Sequence, residues 1–506
     1  MDFLSPTSLI LLVLSSLISV WFSIKLFRKP SNLPPGPPQL PIIGNLHQLG
    51  NLPHQSLHEL SKRYGPVMHL RLGQVQTLVV SSPEMAKQVL ETHDLACCNR
   101  PLSQGPRRLS YNFLDLAFSP YSDYLREIRK LCFINLFSVK RVQSFGHVRE
   151  EQVAQLIKSL SEMSGDPVEL SERIFSLFGN VLCRMAFGKS YEGRQFESGQ
   201  FQATLTEAMA MLSSFWGSDF FPYAGWMVDL LSGQQFRLEK LFHDLDKFYE
   251  RVIDEHVDPA RKMSENEDIT DILLRLAQDQ TASILLTRDH IKAILMNIFV
   301  GGIDTSSLTI IWAMTELVRN PRVMQKVQAE IRSHVGKNSK VDETLAGNLK
   351  YLKMVVKETF RLHPPATLLV PHESIQHCQI GGYNVYPKTR ILVNVWAIGR
   401  DPEVWKNPGD FYPERFEGSE IDFKGKDFQL LPFGSGRRIC PGLTMGATAV
   451  EFTLANLLYC FDWELPKGVK REDISLEEEG GLTVHKRLPL YLVPVEFPPT
   501  KVLMSN

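Results

Sequence analysis

The chain has 506 residues, 43% of them hydrophobic, and its 55 Lys and Arg residues nearly balance 56 Asp and Glu residues, giving a net charge of −1. This balance leaves no global basic field, so nucleic acid is not expected as a partner. The seven cysteines are odd in number and show no CxxC spacing, which argues against a disulfide framework and against a zinc site. A large domain in reducing surroundings fits all of these observations.

The N-terminal stretch is long and apolar enough to cross a membrane. Residues 3–24 carry no charge, and a helix of that length spans about 33 Å, against about 30 Å for a bilayer core. A cleaved signal peptide is the alternative, but it would have a basic start and a small-residue cleavage site. The cations Lys25, Arg28 and Lys29 follow the apolar run, which favours a retained anchor at 1–29 with the rest of the chain in the cytosol.

A proline-rich segment follows the predicted anchor. The sequence LPPGPPQLPIIGN contains five prolines between positions 34 and 41, and these fix φ and prevent a continued helix. We therefore predict a stiff hinge at 30–41. Beyond it the sequence has no second linker, internal repeat or low-complexity tract, so 42–506 is predicted to form one large domain.

Helical periodicity dominates the body of the chain. Residues 68–81 alternate around Gly73 as in a β-hairpin, and a helix is predicted to begin at Pro83, because proline is favoured at the first helical position. A second strand is predicted within 389–399, and 341–363 has the pattern of helix. Together these patterns predict an α-rich α+β fold with a small sheet.

One predicted helix is unusually long and is polar at its centre. It begins after Thr287, a suitable N-cap, and stops at Asn320 before Pro321. Its apolar residues occur on nearly every side, as expected for a helix that crosses the middle of a domain. The segment GGIDTSS at 301–307 interrupts this pattern with glycines, hydroxyls and a carboxylate. It forms either a helix-packing notch with back-bonded hydroxyls or a place where the helix opens or holds water.

Cys440 stands alone in the stretch FGSGRRICPG. Gly434 and Gly436 allow a tight turn, and a helix is predicted to start just after the cysteine. The helix dipole and the neighbouring Arg437 and Arg438 favour its thiolate. A thiolate can attack a substrate or bind a metal, but the sequence has no Cys/His signature of a nucleophilic enzyme. A metal held by a single residue must bring its other ligands, as the iron of haem does.

This stretch resembles the haem-binding loop of the cytochrome P450 superfamily. The matches to the family's F-x-x-G-x-R-x-C-x-G pattern are Phe433, Gly436, Arg438, Cys440 and Gly442.

Other segments resemble the same family in the expected order. ETFR, with Glu358 and Arg361, is similar to the family's E-x-x-R helix, and PERF supplies Arg415 before the cysteine. GGIDTS at 301–306 is similar to its oxygen-activation segment. The anchor and the PPGP hinge resemble those of plant microsomal A-type members.

The resemblance implies a cytochrome P450 fold, in which a large helical domain with small β-sheets surrounds a buried haem b. It also implies insertion of one oxygen atom from O₂ into a lipophilic small molecule of plant specialised metabolism, of the terpenoid, phenolic or alkaloid class. Electrons would come from NADPH through a cytochrome P450 reductase. The expected place is the endoplasmic reticulum membrane, in contact with membrane lipid through a single span, with the haem-thiolate catalytic domain at 42–506 on the cytosolic face.

The resemblance carries the cofactor-binding roles over by position. Cys440 would be the axial thiolate ligand of the iron. Arg438 would pair with a haem propionate, because a buried carboxylate needs a charged partner. Phe433 and Gly434 would belong to the same cofactor-binding loop.

Proton handling and structural support are also implied by the resemblance. Thr305 and Asp304 would handle protons during oxygen activation. The residues implied to form a structural triad beneath the haem loop are Glu358, Arg361 and Arg415.

Two positions depart from the family pattern. The family commonly has Trp-Arg where this chain has Leu125 and Arg126. Arg126 is expected to reach a propionate, although the indole donor is absent. The usual arginine of a later loop is replaced by His372, which can hydrogen-bond a propionate but is neutral at pH 7 unless its pKa is raised.

Two other functions are compatible with a haem-thiolate site. An isomerase or dehydratase would need no reductase, but it would be expected to lack the Asp304 and Thr305 pair. A non-catalytic haem sensor would need neither that pair nor a surface for a reductase. Substrate contacts are expected from five segments, at 107–118, 209–223, 299–305, 366–370 and near Leu482.

Overall fold

The computed structural model of the chain describes residues 32–189, 198–261, 266–279, 284–335 and 340–497, together with Ser16 and Thr281. Apart from Ser16, the predicted anchor at 3–24 lies outside the described residues. Within them, one helix, Arg288–Arg319, has the length and composition of a membrane span, and 78% of its apolar window is buried inside the protein. That burial is what a core helix requires.

The α-helices of the described residues, in chain order, are α1 (Pro53–Tyr64), α2 (Pro83–Lys87), α3 (Asp94–Cys97), α4 (Gln104–Leu109), α5 (Asp123–Cys132), α6 (Val139–Ser144), α7 (Gly146–Glu162), α8 (Leu170–Phe187), α9 (Ser198–Ser213), α10 (Gly217–Phe220), α11 (Gly225–Leu231), α12 (Gln234–Val257), α13 (Ile269–Gln278), α14 (Arg288–Arg319), α15 (Pro321–Val335), α16 (Glu343–Ala346), α17 (Lys350–Leu362), α18 (Val395–Ile398) and α19 (Leu443–Cys460). The strands are β1 (Val67–Leu72), β2 (Val75–Val80), β3 (Val168–Glu169), β4 (His372–Glu373), β5 (Cys378–Ile380), β6 (Tyr383–Val385), β7 (Arg390–Val393), β8 (Phe461–Glu464), β9 (Glu478–Glu479), β10 (His485–Lys486) and β11 (Tyr491–Glu496).

The main sheet has four strands in the order β1-β2-β7-β4. β1 and β2 form the predicted hairpin, whose turn is made by Gly73 with φ of 59°. β7 pairs in parallel with β2 and antiparallel with β4. The predicted strand at 389–399 is confirmed only in its first half, because α18 follows β7 after Asn394, whose side chain caps that short helix.

The helical body confirms the predicted α-rich α+β fold. α14 is its central element, with Thr287 as N-cap and Asn320 as C-cap, and it packs against α8, α12, α17 and α19. Phe299, Ile310 and Ala313 on this helix have no exposed surface. The predicted helix at 341–363 is divided in two, because the chain turns between α16 and α17.

The proline-rich segment is docked on the body where the structure describes it. The backbone amide of His69 on β1 donates to Pro35 O at 2.9 Å. A Cβ on Gly36 would stand 2.0 Å from His69 O, so only glycine fits there. The segment from Pro34 onward therefore lies along the outer edge of the main sheet, beside β1.

The two glycines at the centre of α14 have different surroundings. A Cβ on Gly302 would stand 2.6 Å from Leu182 Cδ1, so this glycine lets α8 and α14 approach closely. A Cβ on Gly301 would meet nothing within 4 Å, and the residue is exposed although its helix is buried. One glycine is a packing notch, whereas the other faces open space inside the protein.

Candidate haem-thiolate site

The Cys440 loop is a tight turn fixed by backbone contacts. The amide of Cys440 donates to Phe433 O at 2.9 Å, which closes the loop. Gly434 and Gly436 have φ of 69° and 66°, a region that favours glycine. A Cβ on Gly436 would also stand 2.2 Å from Leu90 O. α19 begins directly after this loop, as predicted.

Cys440 exposes surface, yet its thiol is surrounded by protein. Its side chain is exposed, while burial raises the pKa of its thiol, against the lowering effects of the Gly442 amide and of Arg129. A group that is both exposed and desolvated opens onto an internal space. Neither predicted cation is directed at the thiol, since Arg437 pairs with Asp94 at 2.9 Å and Arg438 donates to Cys98 O and Ser119 O.

The Cys440 loop lies opposite the polar centre of α14. A Cβ on Gly446, in the first turn of α19, would stand 4.0 Å from Ser306 Oγ and 3.9 Å from Phe433 Cε1. Phe433 packs edge-on against Phe360 of α17 at 5.3 Å between ring centroids. The loop is thus held between α14 and α17.

Two buried guanidinium groups lie near the loop, and no carboxylate of the described residues is bonded to either. Arg438 donates from Nε to Cys98 O and from Nη2 to Ser119 O, each at 2.7 Å, while its Nη1 is buried without a hydrogen-bond partner among the described residues. Arg100 donates to the backbone carbonyls of Ala117, Val370 and Pro371, with Val370 O at 2.6 Å. Burial lowers the pKa of Arg438 to about 10. Buried charges of this kind need an anionic partner.

The prediction for Arg126 is wrong, because this side chain lies on the outer face of α5. It pairs with Asp123 and is 59% exposed. Leu125 is buried on the inner face, and Arg129, one helical turn later, lies on that same face and donates to Ile439 O at 2.7 Å. Arg129, and not Arg126, is therefore the cation of α5 beside the Cys440 loop.

His372 is buried and faces the two arginines. Its Nδ1 lies 3.0 Å from Cys97 O, to which it donates as the protonated nitrogen. Burial, with the nearby charges of Arg100 and Arg438, lowers its pKa well below the ordinary value. With the Nδ1 proton donated to Cys97 O, Nε2 of an uncharged ring is an acceptor, so only the imidazolium form could donate to a carboxylate.

Glu358, Arg361 and Arg415 meet in a buried cluster. Glu358 Oε1 accepts from Arg361 Nη2 at 2.8 Å and from Arg415 Nε at 2.9 Å. The side chains of Glu358 and Arg361 have 0% exposure. Glu358 Oε1 also accepts from the Tyr412 amide at 2.8 Å, so the carboxylate ties α17 to the segment that leads into the Cys440 loop.

The polar residues of α14 separate into two groups. The hydroxyl of Thr305 donates to Gly301 O at 2.6 Å and is thus back-bonded to the helix. Asp304 is directed elsewhere, since its Oδ2 accepts from the Thr483 hydroxyl and lies 3.2 Å from His485 Nε2. The predicted pair is adjacent in sequence, but the structure gives no hydrogen bond between its two side chains.

A family model described as cytochrome P450 matches residues 34–493 of the chain. The chain belongs to the cytochrome P450 family. The P450 is similar to plant members along nearly its whole length. It is 55% identical to cytochrome P450 71B10 of Arabidopsis thaliana over 97% of this chain and 98% of that protein.

Two relatives of this P450 have named reactions. It is 50% identical to 2-methylbutanal oxime monooxygenase of Manihot esculenta, over 92% of each chain. It is 51% identical to 4-hydroxyphenylacetaldehyde oxime monooxygenase of Sorghum bicolor, over 92% of this chain and 89% of that protein. The chain is therefore a P450 monooxygenase of plant metabolism, and the isomerase and sensor alternatives are set aside.

Solved structures confirm the P450 fold. A zebrafish cytochrome P450 with progesterone has a TM-score of 0.76 and 26% identity, covering 88% of this chain and 99% of that one. The same kind of protein with abiraterone has a TM-score of 0.74 and 25% identity, covering 88% and 100%.

The residues present fit the haem that the family carries. The thiol of Cys440 opens onto an internal space, and the unpartnered Nη1 of Arg438 with Arg100 supplies the positive charge that two propionates require. When bound, the haem supplies O₂ activation. Sequence reasoning missed Arg100, Arg129, Thr483 and His485. Of these, only Arg129 could have been found from the sequence, because it is four residues after Leu125 and therefore lies on the same helix face.

Proposed function

We propose that the protein is a haem-thiolate monooxygenase that takes electrons from NADPH through a membrane-bound P450 reductase and oxygenates a lipophilic small molecule. The observation that carries this proposal is the packing of the helix that follows Cys440 on the polar centre of α14, where a Cβ on Gly446 would stand 4.0 Å from Ser306 Oγ, while Cys440 and Gly301 both expose surface. One side offers a metal ligand, and the other offers hydroxyls and a carboxylate that can move protons.

In this proposal Cys440 ligates the iron, and the Gly442 amide, which hydrogen-bonds the sulfur, tunes it. Arg438 and Arg100 bind the propionates. The uncharged ring of His372 lines that site and donates to Cys97 O. The anion would raise the pKa of His372 from its depressed value, because opposite charges favour the imidazolium.

The substrate would lie along the apolar face of α14. Phe299, Val300 and Ile303 of that helix, with Leu205 and Met209 of α9, supply apolar surface there. These side chains favour a lipophilic compound. The relatives add aldoximes to the terpenoid, phenolic and alkaloid classes as substrates to test.

The reductase would dock on the face that carries exposed cations close to Cys440. Arg126 and Lys130 are exposed on α5, and Arg129 of the same helix contacts the Cys440 loop through Ile439 O. Arg437 is 49% exposed on the loop itself. Clustered cations attract an acidic partner and speed its association.

The test of this function is turnover by the holoenzyme with a plant P450 reductase and NADPH. The compounds should include the two oximes named for the relatives and a lipophilic panel of terpenoids, phenolics and alkaloids. Wild type is expected to form an oxygenated product. The double variant Thr305→Ala, Ser306→Ala should keep the haem spectrum but lose coupled turnover by about 10²-fold to 10⁴-fold, with NADPH consumption diverted to hydrogen peroxide.

Thr315→Ala is the matched control, because this buried hydroxyl is back-bonded to Ile311 O on the same helix but lies farther along it. It should couple NADPH to product as wild type does. Absence of NADPH-dependent product from every compound would refute the function, whereas a fully coupled double variant would refute only the role of these hydroxyls.

We also propose that the protein is bound to the endoplasmic reticulum membrane through the anchor at 1–29 and an apolar patch. The patch comprises Ile42, Tyr223, Trp226, Leu231 and Phe236, which are 57–86% exposed. The β1-β2 turn connects the part of the patch at Ile42 with the part at 223–236. Gly73 N donates to Ile43 O, next to Ile42, and Gln74 N donates to Phe220 O, close to Tyr223. An exposed apolar surface of this kind favours contact with lipid.

Deleting residues 1–29 is expected to release much of the protein from microsomes while haem incorporation is retained. The further change Trp226→Ser with Leu231→Ser should release most of the remainder, because it removes apolar area from the patch. Val139→Ser is the control, since Val139 is 60% exposed on α6, a helix that packs against α7 and α19. Fractionation of microsomes with and without a carbonate wash measures the membrane-bound fraction of each variant. A mature N-terminus beyond residue 25 would contradict the anchor.

A further inference from the structure

A hydrogen-bonded contact joins the centre of α14 to the chain segment that leads into β10. Oδ2 of Asp304 accepts the hydroxyl proton of Thr483, and Nε2 of His485 lies 3.2 Å from the same oxygen. Thr483 Oγ1 and His485 Nε2 are themselves 3.3 Å apart. The carboxylate beside Thr305 is thus coupled to an imidazole that is 181 positions away in the sequence.

This contact leads from the interior towards solvent. The Asp304 side chain is 11% exposed, whereas that of His485 is 34% exposed. The ring of His485 is stacked on Phe175 of α8, with the planes 9° apart. The residue before it, Val484, is fixed because its backbone N donates to Pro365 O at 2.9 Å. His485 is therefore held in place with one nitrogen on Asp304 and part of its ring in contact with water.

Two charged groups of the described residues act on His485, and both are acidic. Asp304 faces it from α14, and Glu479 lies opposite it in the β9-β10 register. Phe175, the residue that α8 packs on it, carries no charge. Burial opposes protonation, but the hydrogen bond and charge of Asp304 with the charge of Glu479 outweigh it and raise the pKa of His485 above the ordinary value. The neighbouring Lys486 points to Leu488 O at 2.7 Å.

The inner side of Asp304 borders on space that can hold water. Asp304 lines the cavity of about 50 Å³ between α8, α9 and α14, together with the hydroxyl residues Ser176 and Thr206. A water molecule needs about 10 to 15 Å³ and two or more polar partners. The cavity meets both conditions next to the carboxylate.

We propose that His485 is a positioning and proton-relay residue that returns protons from solvent to Asp304 during turnover. In each transfer the imidazolium gives its Nε2 proton to the Asp304 carboxylate, which leaves a neutral ring and a neutral carboxyl group. The ring then takes one proton from solvent, and the carboxyl group gives one proton towards Thr305 or cavity water. Thr483 holds the carboxylate in place. The proposal rests on the monooxygenase function proposed above.

The test compares wild type with His485→Gln in the holoenzyme with reductase and a turned-over compound of the panel. Glutamine can donate a hydrogen bond to Asp304 but does not titrate, so positioning is kept and proton supply is lost. The ratio of product to NADPH should fall about 10²-fold, the lower end for a positioned acid, with more hydrogen peroxide and a larger solvent isotope effect. His377→Gln is the control, because His377 is exposed and bonds Asn384 elsewhere.

The pH dependence of coupled turnover distinguishes a role of His485 in proton supply from a purely structural role. Because the pKa of His485 is raised, the ring is charged below that pKa and loses its proton as pH rises through it. Coupled turnover by wild type and by His377→Gln should therefore fall on the alkaline side, above pH about 6.5. His485→Gln should lack this limb. An alkaline limb unchanged in His485→Gln would overturn the proposal.

A spectroscopic measurement decides the same point without turnover. In the holoenzyme labelled with ¹³C at histidine Cε1, the signal that His485→Gln removes should titrate above the ordinary pKa. In Asp304→Asn the pKa of this histidine should be lower than in wild type, because the opposite charge is lost. A His485 signal with an ordinary pKa that Asp304→Asn leaves in place would overturn the proposal. Failure of the monooxygenase function would instead appear in wild type, as absence of product.

Discussion

Replacing Cys440 with histidine is expected to abolish the thiolate-type spectrum of the reduced carbon monoxide complex and all product formation. The thiol is the group of the loop that opens onto the interior space, and its sulfur is already hydrogen-bonded by the Gly442 amide. Imidazole can bind iron, but it lacks the electron donation of a thiolate that favours O–O cleavage. Absorption spectroscopy and turnover on the same preparations measure both effects.

Cys460→Ala is the matched control for this prediction. Cys460 lies at the far end of α19, on the same helix that follows the loop, and burial raises the pKa of its thiol to about 12. A buried and protonated thiol is inert, so this variant should keep the spectrum and the activity. A thiolate-type spectrum that persists in Cys440→His would show that another residue holds the iron.

Local signals made the central helix and the cysteine loop predictable. Thr287 and Pro321 bound α14 as their capping and helix-breaking properties require. The glycines of the loop have the positive φ that a tight turn needs. The family pattern then supplied the haem, because the match depends on residues close together in the sequence.

The face of a helix on which a residue lies was less predictable, because adjacent residues in the sequence lie on different faces. Arg126 follows Leu125 directly, yet neighbours on a helix point about 100° apart, and Arg129 is the one on the buried face. In the same way Gly301 and Gly302 are identical residues in the sequence, but Gly302 contacts α8 whereas Gly301 faces open space.

Contacts between distant segments had no sequence signal. Arg100 reaches the carbonyl of Val370, and His485 reaches Asp304. Both contacts depend on how the loops between elements return to the core. Neither residue carries a motif, and burial is unusual for arginine and not the rule for histidine. These are the positions at which the structure adds most to the sequence.

Replacing Glu358 with glutamine is expected to destabilise the protein and to lower its haem content. Glu358 is the shared anion of Arg361 and Arg415, and its side chain is completely buried. Removing one partner of a buried ion pair costs about 3 to 5 kcal/mol, because the remaining charge is left uncompensated. The total free energy of unfolding of a typical protein is only about 5 to 15 kcal/mol.

The expected loss of haem follows from the contacts of the cluster. Arg361 and Glu358 hold the segment at 399–415 through Pro408 O and the Tyr412 amide, and Phe360 on the same helix packs against Phe433 of the Cys440 loop. Thermal unfolding and the ratio of haem to protein measure the two effects.

Glu59→Gln is the matched control, since Glu59 pairs with Lys62 at the same three-residue spacing on an exposed helix face. Exposed pairs contribute little to stability, so Tm and haem content should stay at wild-type values. In Glu358→Gln, the fraction that retains haem should still show the thiolate-type spectrum, because Cys440 is unchanged. A Glu358→Gln protein with wild-type Tm and full haem would show that the cluster does not support the loop, whereas intact haem with lost turnover would assign the carboxylate a part in the reaction itself.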